Sequence, residues 1–307
     1  MRAGEWCLLV NNLGAVPPLE LSFVAGGVAA ALNCNTQTRT IRLTLGYEGT
    51  RFSGWQVQPG RATVQGTLAE AIRAVSGEEI LPRGSSRTDA GVHALGQVVS
   101  FETTAPHEAR TWVRALNARL PSDITVIDGE EAAPGFDPIW GAVSKVYRYR
   151  IHDAPWRPVL SRHLVWRWKS RLDQDAMATA AAALVGEHDF SSFETTPSTR
   201  LSKVRTIHRL DVFRRRGGDD LPDGEVWAEV EGNGFLHNMV RIIVGSLVMV
   251  GCGRRDPDWM AKVIAARHRP AAGPTAPPQG LVLVSIAIDP ARTRPAPSSD
   301  SSSLSAP

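Results

Sequence analysis

Arg87-Thr88-Asp89-Ala90-Gly91-Val92-His93-Ala94 lies between two stretches with the composition of strands. Glu79-Ile80-Leu81 leads in through Gly84-Ser85-Ser86, and Gln97-Val98-Val99-Ser100-Phe101 leads out. A lone carboxylate, Asp89, therefore stands on a connection between two strands. Arg87, two residues earlier, supplies a positive charge that holds a carboxylate ionised, while Ala90 and Gly91 leave room for another molecule to approach the backbone. On residue types alone the same stretch also reads as an ordinary Arg/Asp turn.

Working outward, the chain shows the same order of elements twice. Upstream, Thr40 to Leu45 alternates strictly and predicts a half-buried strand. A loop with two glycines and three aromatics, Tyr47 to Gln56, follows, then a helix from about Thr63 with Val64, Leu68, Ala71, Ile72 and Val75 on one face. Downstream of Phe101 come a helix near Glu108 to Leu120 and a strand around Ile124 to Ile127. In the second half, Val146 to Ile151 and Leu164 to Trp168 predict strands, and Asp173 caps a helix running to Val185. Val204 to Phe213 and Val226 to Glu231 alternate as strands around a polar hairpin loop, Arg214 to Asp220. Leu236 to Val250 is a mostly apolar helix ending at Gly251, Asp256-Pro257 opens a short helix, and Leu281 to Ile288 is a buried strand.

Each half thus reads β-α-β-β-α-β, the second with one extra strand and one extra helix. The expected fold class is α+β, with two ferredoxin-like (RRM-like) units whose antiparallel sheets lie side by side and an active-site cleft between them. The expected organisation is an extension over 1–38, an N-terminal catalytic domain over 39–142 carrying the Asp89 loop, a basic RNA-binding domain over 143–290, and a disordered tail over 291–307. The open faces of the two sheets would form one wide floor for a folded RNA. Fold alone does not decide function.

At 307 residues the chain is long enough for two cores, and 43% hydrophobic with 21% charged residues is the composition of a globular protein. The formal net charge is +3, but its distribution is uneven. Val143 to Arg216 holds 15 Lys/Arg against 7 Asp/Glu, so the remainder is net acidic. That segment also carries Tyr147, Tyr149, Trp156, Trp166 and Trp168, faces on which bases stack. Cys7, Cys34 and Cys252 form neither a disulfide framework nor a zinc pattern, which suits a reducing cytosol. The apolar run Leu21 to Leu32 is short of the ~20 residues a membrane span needs. The expected location is the cytoplasm, with no membrane contact.

The string Arg87 to Ala94 resembles the active-site motif of the tRNA pseudouridine synthases of the TruA family. Four further stretches resemble that family in order: Tyr47-Glu48-Gly49-Thr50 with Gly54-Trp55-Gln56, Lys145-Val146-Tyr147-Arg148-Tyr149, Asn233 to Gly245, and Ala272 to Leu281. Together they span about Thr40 to Asp289. There are departures. Glu48 stands where Asp is more usual. Ser86 replaces a usual Gly, costing on the order of 1 kcal/mol if the position is left-handed. Pro138-Ile139-Trp140 stands where Ala-Arg-Phe is common, so one expected arginine is missing.

The resemblance implies an isomerase that converts uridine to pseudouridine in the anticodon stem-loop of tRNA, at neighbouring positions on its 3′ side (tRNA positions 38 to 40). It implies Asp89 as the catalytic residue, Tyr147 against the target base and Arg241 as the basic partner of the carboxylate, with Arg87 a second candidate for that charge. Arg51, Lys203 and Arg205 are weaker candidates for holding RNA backbone. The reaction gains and loses no atoms or electrons, so no cofactor and no metal are expected. A homodimer, with one tRNA touching both subunits, is implied as well. Two other classes compete: a non-catalytic RNA-binding protein with two RRM-like units, for which the full aromatic RNP signature is missing, and a carboxylate-dependent hydrolase, for which no second acid accompanies Asp89.

Overall fold

The structure is a computed structural model that describes residues 38–195, 202–215 and 224–292. All but the last residue of the expected extension over 1–38, the tail beyond Arg292 and most of the Arg214 to Asp220 loop lie outside those residues. In chain order the elements are β1 (Arg39–Tyr47), α1 (Val64–Ser76), β2 (Arg83–Gly84), β3 (His93–Thr103), α2 (Ala109–Asn117), β4 (Ile124–Ala132) and β5 (Ala142–His152). They continue with β6 (Trp166–Arg167), α3 (Gln174–Ala182), β7 (Gly186–Asp189), β8 (Val204–Arg215), β9 (Glu225–Gly232), α4 (Met239–Gly251), α5 (Trp259–Ala266) and β10 (Leu281–Ile288).

Local chemistry explains most of the boundaries. Thr63 precedes α1, and its hydroxyl accepts from the Gly66 N–H, while Gly77 closes the helix in the left-handed region at φ 77°. The Asp173 carboxylate accepts from the Asp175 and Ala176 N–H groups at the start of α3. Several boundaries differ from expectation. The strand read at Glu79 to Leu81 is displaced to β2, where Arg83 and Gly84 pair with Ser100 and Val99. Pro82 cannot donate to a ladder, and Glu78 instead accepts from Thr103 and Thr104. Helix α4 starts at Met239 rather than Leu236, because Asn238 holds φ 61° and breaks the run. Helix α5 starts at Trp259 after Asp258, with Asp256 accepting the Trp259 N–H through its carbonyl rather than capping through its side chain. The strand expected over Leu164 to Trp168 shrinks to β6, and β7 was not foreseen.

The strands form one ten-stranded sheet in the order β4-β1-β3-β10-β5-β9-β8-β7, with β2 on β3 and β6 on β5. The two halves meet at β10, which runs parallel to β3 at His93 and Ala94 and antiparallel to β5 along its length. Pleating decides what each face carries. Ile41, Leu43 and Leu45 on β1, and Tyr147, Tyr149 and Ile151 on β5, face a continuous core with Val64, Leu68 and Ile72 of α1, Met177 of α3 and Ile242, Ile243 and Leu247 of α4. Arg148, Arg150 and Trp227 occupy the opposite face, where the two guanidiniums lie 4.4 and 5.8 Å from the Trp227 ring centre.

Candidate active site

Asp89 is placed by a loop pinned from three directions. The Thr88 carbonyl accepts from the Trp55 N–H at 3.0 Å, and the Thr88 hydroxyl shares a 2.8 Å hydrogen bond with the phenol of Tyr47. That first contact requires Gly54: its φ is +90°, and a Cβ there would lie 2.6 Å from the Thr88 carbonyl oxygen. The loop then turns back on itself, with the Val92 N–H donating to the Asp89 carbonyl at 3.1 Å. His93 ties in the third direction. Its Nδ1 accepts from the Gly49 N–H at 2.9 Å, so its Nε2 is the nitrogen that donates to the Gln279 carbonyl, at 3.3 Å. Burial holds its pKa below the ordinary histidine value and keeps it in this neutral form. Three of the stretches singled out in the sequence are thus sewn together by one imidazole.

Arg241 meets Asp89 from the first turn of α4. Its Nη1 donates to Asp89 Oδ2 at 3.2 Å and to Asn238 Oδ1 at 2.6 Å, and its Nε donates to the Ala276 carbonyl at 2.8 Å. The Ala276 N–H returns a hydrogen bond to the Arg241 carbonyl. This clamp depends on Gly245, where a Cβ would sit 1.8 Å from the Pro274 carbonyl oxygen, so only glycine lets the chain before Ala276 cross α4 this closely. The other carboxylate oxygen of Asp89, Oδ1, lies 3.6 Å from His237 Nε2. His237 stands in the Asn233 to Gly245 stretch, but nothing local signals a role for it, since its neighbour lies 148 positions away in sequence.

Asp89 and Arg241 line a cleft of about 1090 Å³ with Tyr147, Arg87, Arg205 and Phe235. Three of the strand residues lining it, Lys145, Tyr147 and Leu281, point to the same face as buried Tyr149 and Leu283. Part of the cleft therefore opens among core-facing side chains. Tyr147 is buried, its phenol 2.8 Å from the Ser86 hydroxyl and its ring edge-on to Phe235 at 5.2 Å. Burial pushes its pKa up to about 12, against a smaller lowering by the Ser86 hydrogen bond, so the phenol stays protonated at neutral pH.

The remaining candidates are placed less uniformly. Arg87 is exposed on the cleft wall and, among the described residues, forms no ion pair with Asp89. Arg205 lines the cleft. Arg51 is not among its lining residues and pairs with Asp123 while lying over Phe52. Lys203 pairs with the buried carboxylate of Glu194. The basic segment is also less available than its count implied, because Arg148 pairs with Glu229, Arg150 with Glu225 and Arg214 with Asp153. Of its tyrosines and tryptophans, Tyr147 and Tyr149 are buried, Trp166 and Trp168 pack partly on the core, and Trp156 is exposed. Ser86 is not among the residues of positive φ, so the strain expected at that position is absent. Ile139, in place of the expected arginine, lines the cleft.

The family described as tRNA pseudouridine synthase matches residues 45–135 and 180–288, well over half the chain. The chain belongs to the tRNA pseudouridine synthase family. Curated relatives agree. A tRNA pseudouridine synthase A of Myxococcus xanthus is 43% identical over 246 residues, covering 80% of this chain and 91% of the relative. One of Geotalea uraniireducens (strain Rf4) is 42% identical over 249 residues, covering 81% and 99%, and one of Brevibacillus brevis is 44% identical over 245 residues, covering 80% and 98%. Members of the tRNA pseudouridine synthase family are isomerases that convert uridine to pseudouridine in tRNA.

Proposed function

We propose that this chain performs that isomerisation at Asp89, on neighbouring uridines at the 3′ side of the tRNA anticodon stem-loop. The observation that carries the reading is the Asp89 carboxylate itself. One of its oxygens is held by Arg241, and its side chain is 30% exposed in a cleft wide enough for an extruded nucleotide.

The reaction breaks the bond from N1 of uracil to C1′ of the ribose, turns the base, joins C5 to C1′ and moves the C5 proton to N1. It calls for an ionised carboxylate beside C1′, as nucleophile or as base. Arg241 pairs with Asp89 Oδ2 and leaves Oδ1 for the substrate. The Tyr147 phenol faces the cleft as the group for the base and its C5 proton, and Arg87 and Arg205 are placed on the cleft for flanking phosphates. The uridine leaves its stack to enter, at a cost of a few kcal/mol that phosphate contacts offset.

The strand orders β4-β1-β3-β2 and β10-β5-β9-β8 support a reading as two ferredoxin-like units, over about 39–142 and 143–290, with the cleft between them. Among the described residues no helix is long and apolar enough to cross a membrane. A cytoplasmic homodimer working on tRNA completes the proposal. Incubation of the purified protein with unmodified tRNA, followed by carbodiimide-stop mapping, tests it: new stops on the 3′ side of the anticodon stem-loop support the site, stops elsewhere correct it, and none returns the chain to RNA binding without chemistry.

A further inference from the structure

We propose that Ser86 is a positioning residue for the Tyr147 phenol, held in place by Gln97. The inference rests on the reading of Tyr147 as the residue that meets the target base. The Ser86 hydroxyl lies 2.8 Å from the Tyr147 phenolic oxygen, and both residues are buried.

Gln97 fixes the serine from behind. Its amide oxygen accepts from the Ser86 N–H at 3.2 Å and its amide nitrogen donates to the Ser86 carbonyl at 2.6 Å, a two-point grip on the backbone by a side chain with no solvent exposure. The preceding residue is gripped as well: the Ser85 N–H donates to the Val98 carbonyl, and Lys145 Nζ donates to the Ser85 carbonyl at 2.7 Å. The serine oxygen therefore has a fixed place. Phe235 stands edge-on to the ring, and the Ser86 hydroxyl is the hydrogen-bond partner of the phenol, with either oxygen able to donate. When the phenol donates to Ser86 Oγ, its oxygen keeps a lone pair for a group entering the cleft that Tyr147 lines. A glycine at this position, the residue the family resemblance leads one to expect, would leave the buried phenol without that partner and free to rotate.

The hydroxyl pair predicts a thermodynamic signature that a packing role does not give. Ser86→Ala and Ser86→Gly should both slow single-turnover pseudouridine formation at saturating tRNA by about three- to tenfold, with the tRNA dissociation constant unchanged. In a Tyr147→Phe background the same Ser86→Ala change should have no further effect. Equal slowing in both backgrounds, or none in either, overturns the proposal while leaving Tyr147 in its role. A Tyr147→Phe variant as fast as the parent would instead overturn the reading on which it rests. A second measurement needs no turnover. The chain has three tyrosines, so ring-carbon-labelled tyrosine gives three assignable resonances. Ser86→Ala should shift that of Tyr147 and leave that of Tyr149 in place, and an unmoved Tyr147 resonance contradicts the contact.

Discussion

Arg241 Nη1 lies 3.2 Å from Asp89 Oδ2 across 152 positions of sequence, and the side chains are unequally exposed, 15% for the arginine and 30% for the aspartate. The arginine is anchored by Ala276 and Asn238 whether or not Asp89 moves, so the charge is fixed and the carboxylate is the adaptable partner.

That asymmetry separates two substitutions that remove one positive charge each. Arg241→Ala leaves Asp89 in the cleft without its partner. A fully buried broken pair costs roughly 3–5 kcal/mol, and screening at this half-open site reduces that to ~1–2 kcal/mol, about a tenfold loss of turnover at saturating tRNA. Lys203→Ala strips the cover from Glu194, whose carboxylate is 3% exposed. Its expected effect is on the fold, a melting temperature lower by about 5–10 °C, with turnover at low temperature nearly unchanged. Calorimetry and single-turnover assays on both variants check the contrast, and equal turnover losses with equal melting temperatures would count against it.

A second buried pair sets the acid limit of stability. The Asp153 side chain is fully enclosed, and Arg214 donates to both of its oxygens, at 2.8 and 3.0 Å. Burial alone would raise its pKa, but the hydrogen bonds from Arg214 and the Leu172 N–H outweigh burial and hold it below the ordinary 3.8. A carboxylate whose folded pKa is depressed contributes stability above its unfolded pKa and loses it as pH falls through the folded value. The pair should therefore stabilise at neutral pH and fail below about pH 4. Asp153→Asn is expected to lower the melting temperature at neutral pH and to flatten its fall in acid. Parallel slopes for parent and variant between about pH 5 and pH 2 would show that the acid limit lies elsewhere.

Ile139 gives a gain-of-contact test. It is 47% exposed and lines the cleft, so Ile139→Arg places a guanidinium where RNA backbone would pass. The slope of log binding constant against log salt should steepen by about one unit, with turnover at saturating tRNA unchanged. An unchanged slope would mean that this wall does not meet the phosphates.

Much of the framework is written in short-range chemistry. The alternation of β1, the Thr63 cap, Gly77 and the Asp173 cap each act within a few residues, so the sequence announces them. The Arg87 to Ala94 string and the Asn233 to Gly245 string pointed to Asp89 and Arg241, and the fold brings these two together. The unforeseen features depend on distant partners. Arg214 looked like part of a polar loop because Asp153, the residue that draws it inward, is 61 positions away. Ser86 looked like a strained substitution because Tyr147, which gives its hydroxyl a purpose, is equally remote. Alternation on β5 separated Tyr147 from Arg148 correctly, but a period of two cannot say which face receives the substrate. The left-handed Asn238 was likewise hidden inside an otherwise helical apolar run.

The central claim is that Asp89 performs the chemistry, and Asp89→Asn tests it with the least disturbance to the cleft. The amide keeps the size and still accepts from Arg241 through its oxygen, but it is neither a nucleophile nor a base. Single-turnover pseudouridine formation and tRNA affinity should be measured on the same preparation. The account predicts that product formation is abolished while the dissociation constant stays within about threefold of the parent, since phosphate contacts elsewhere carry most of the binding. Product formation at or near the parent rate would contradict it.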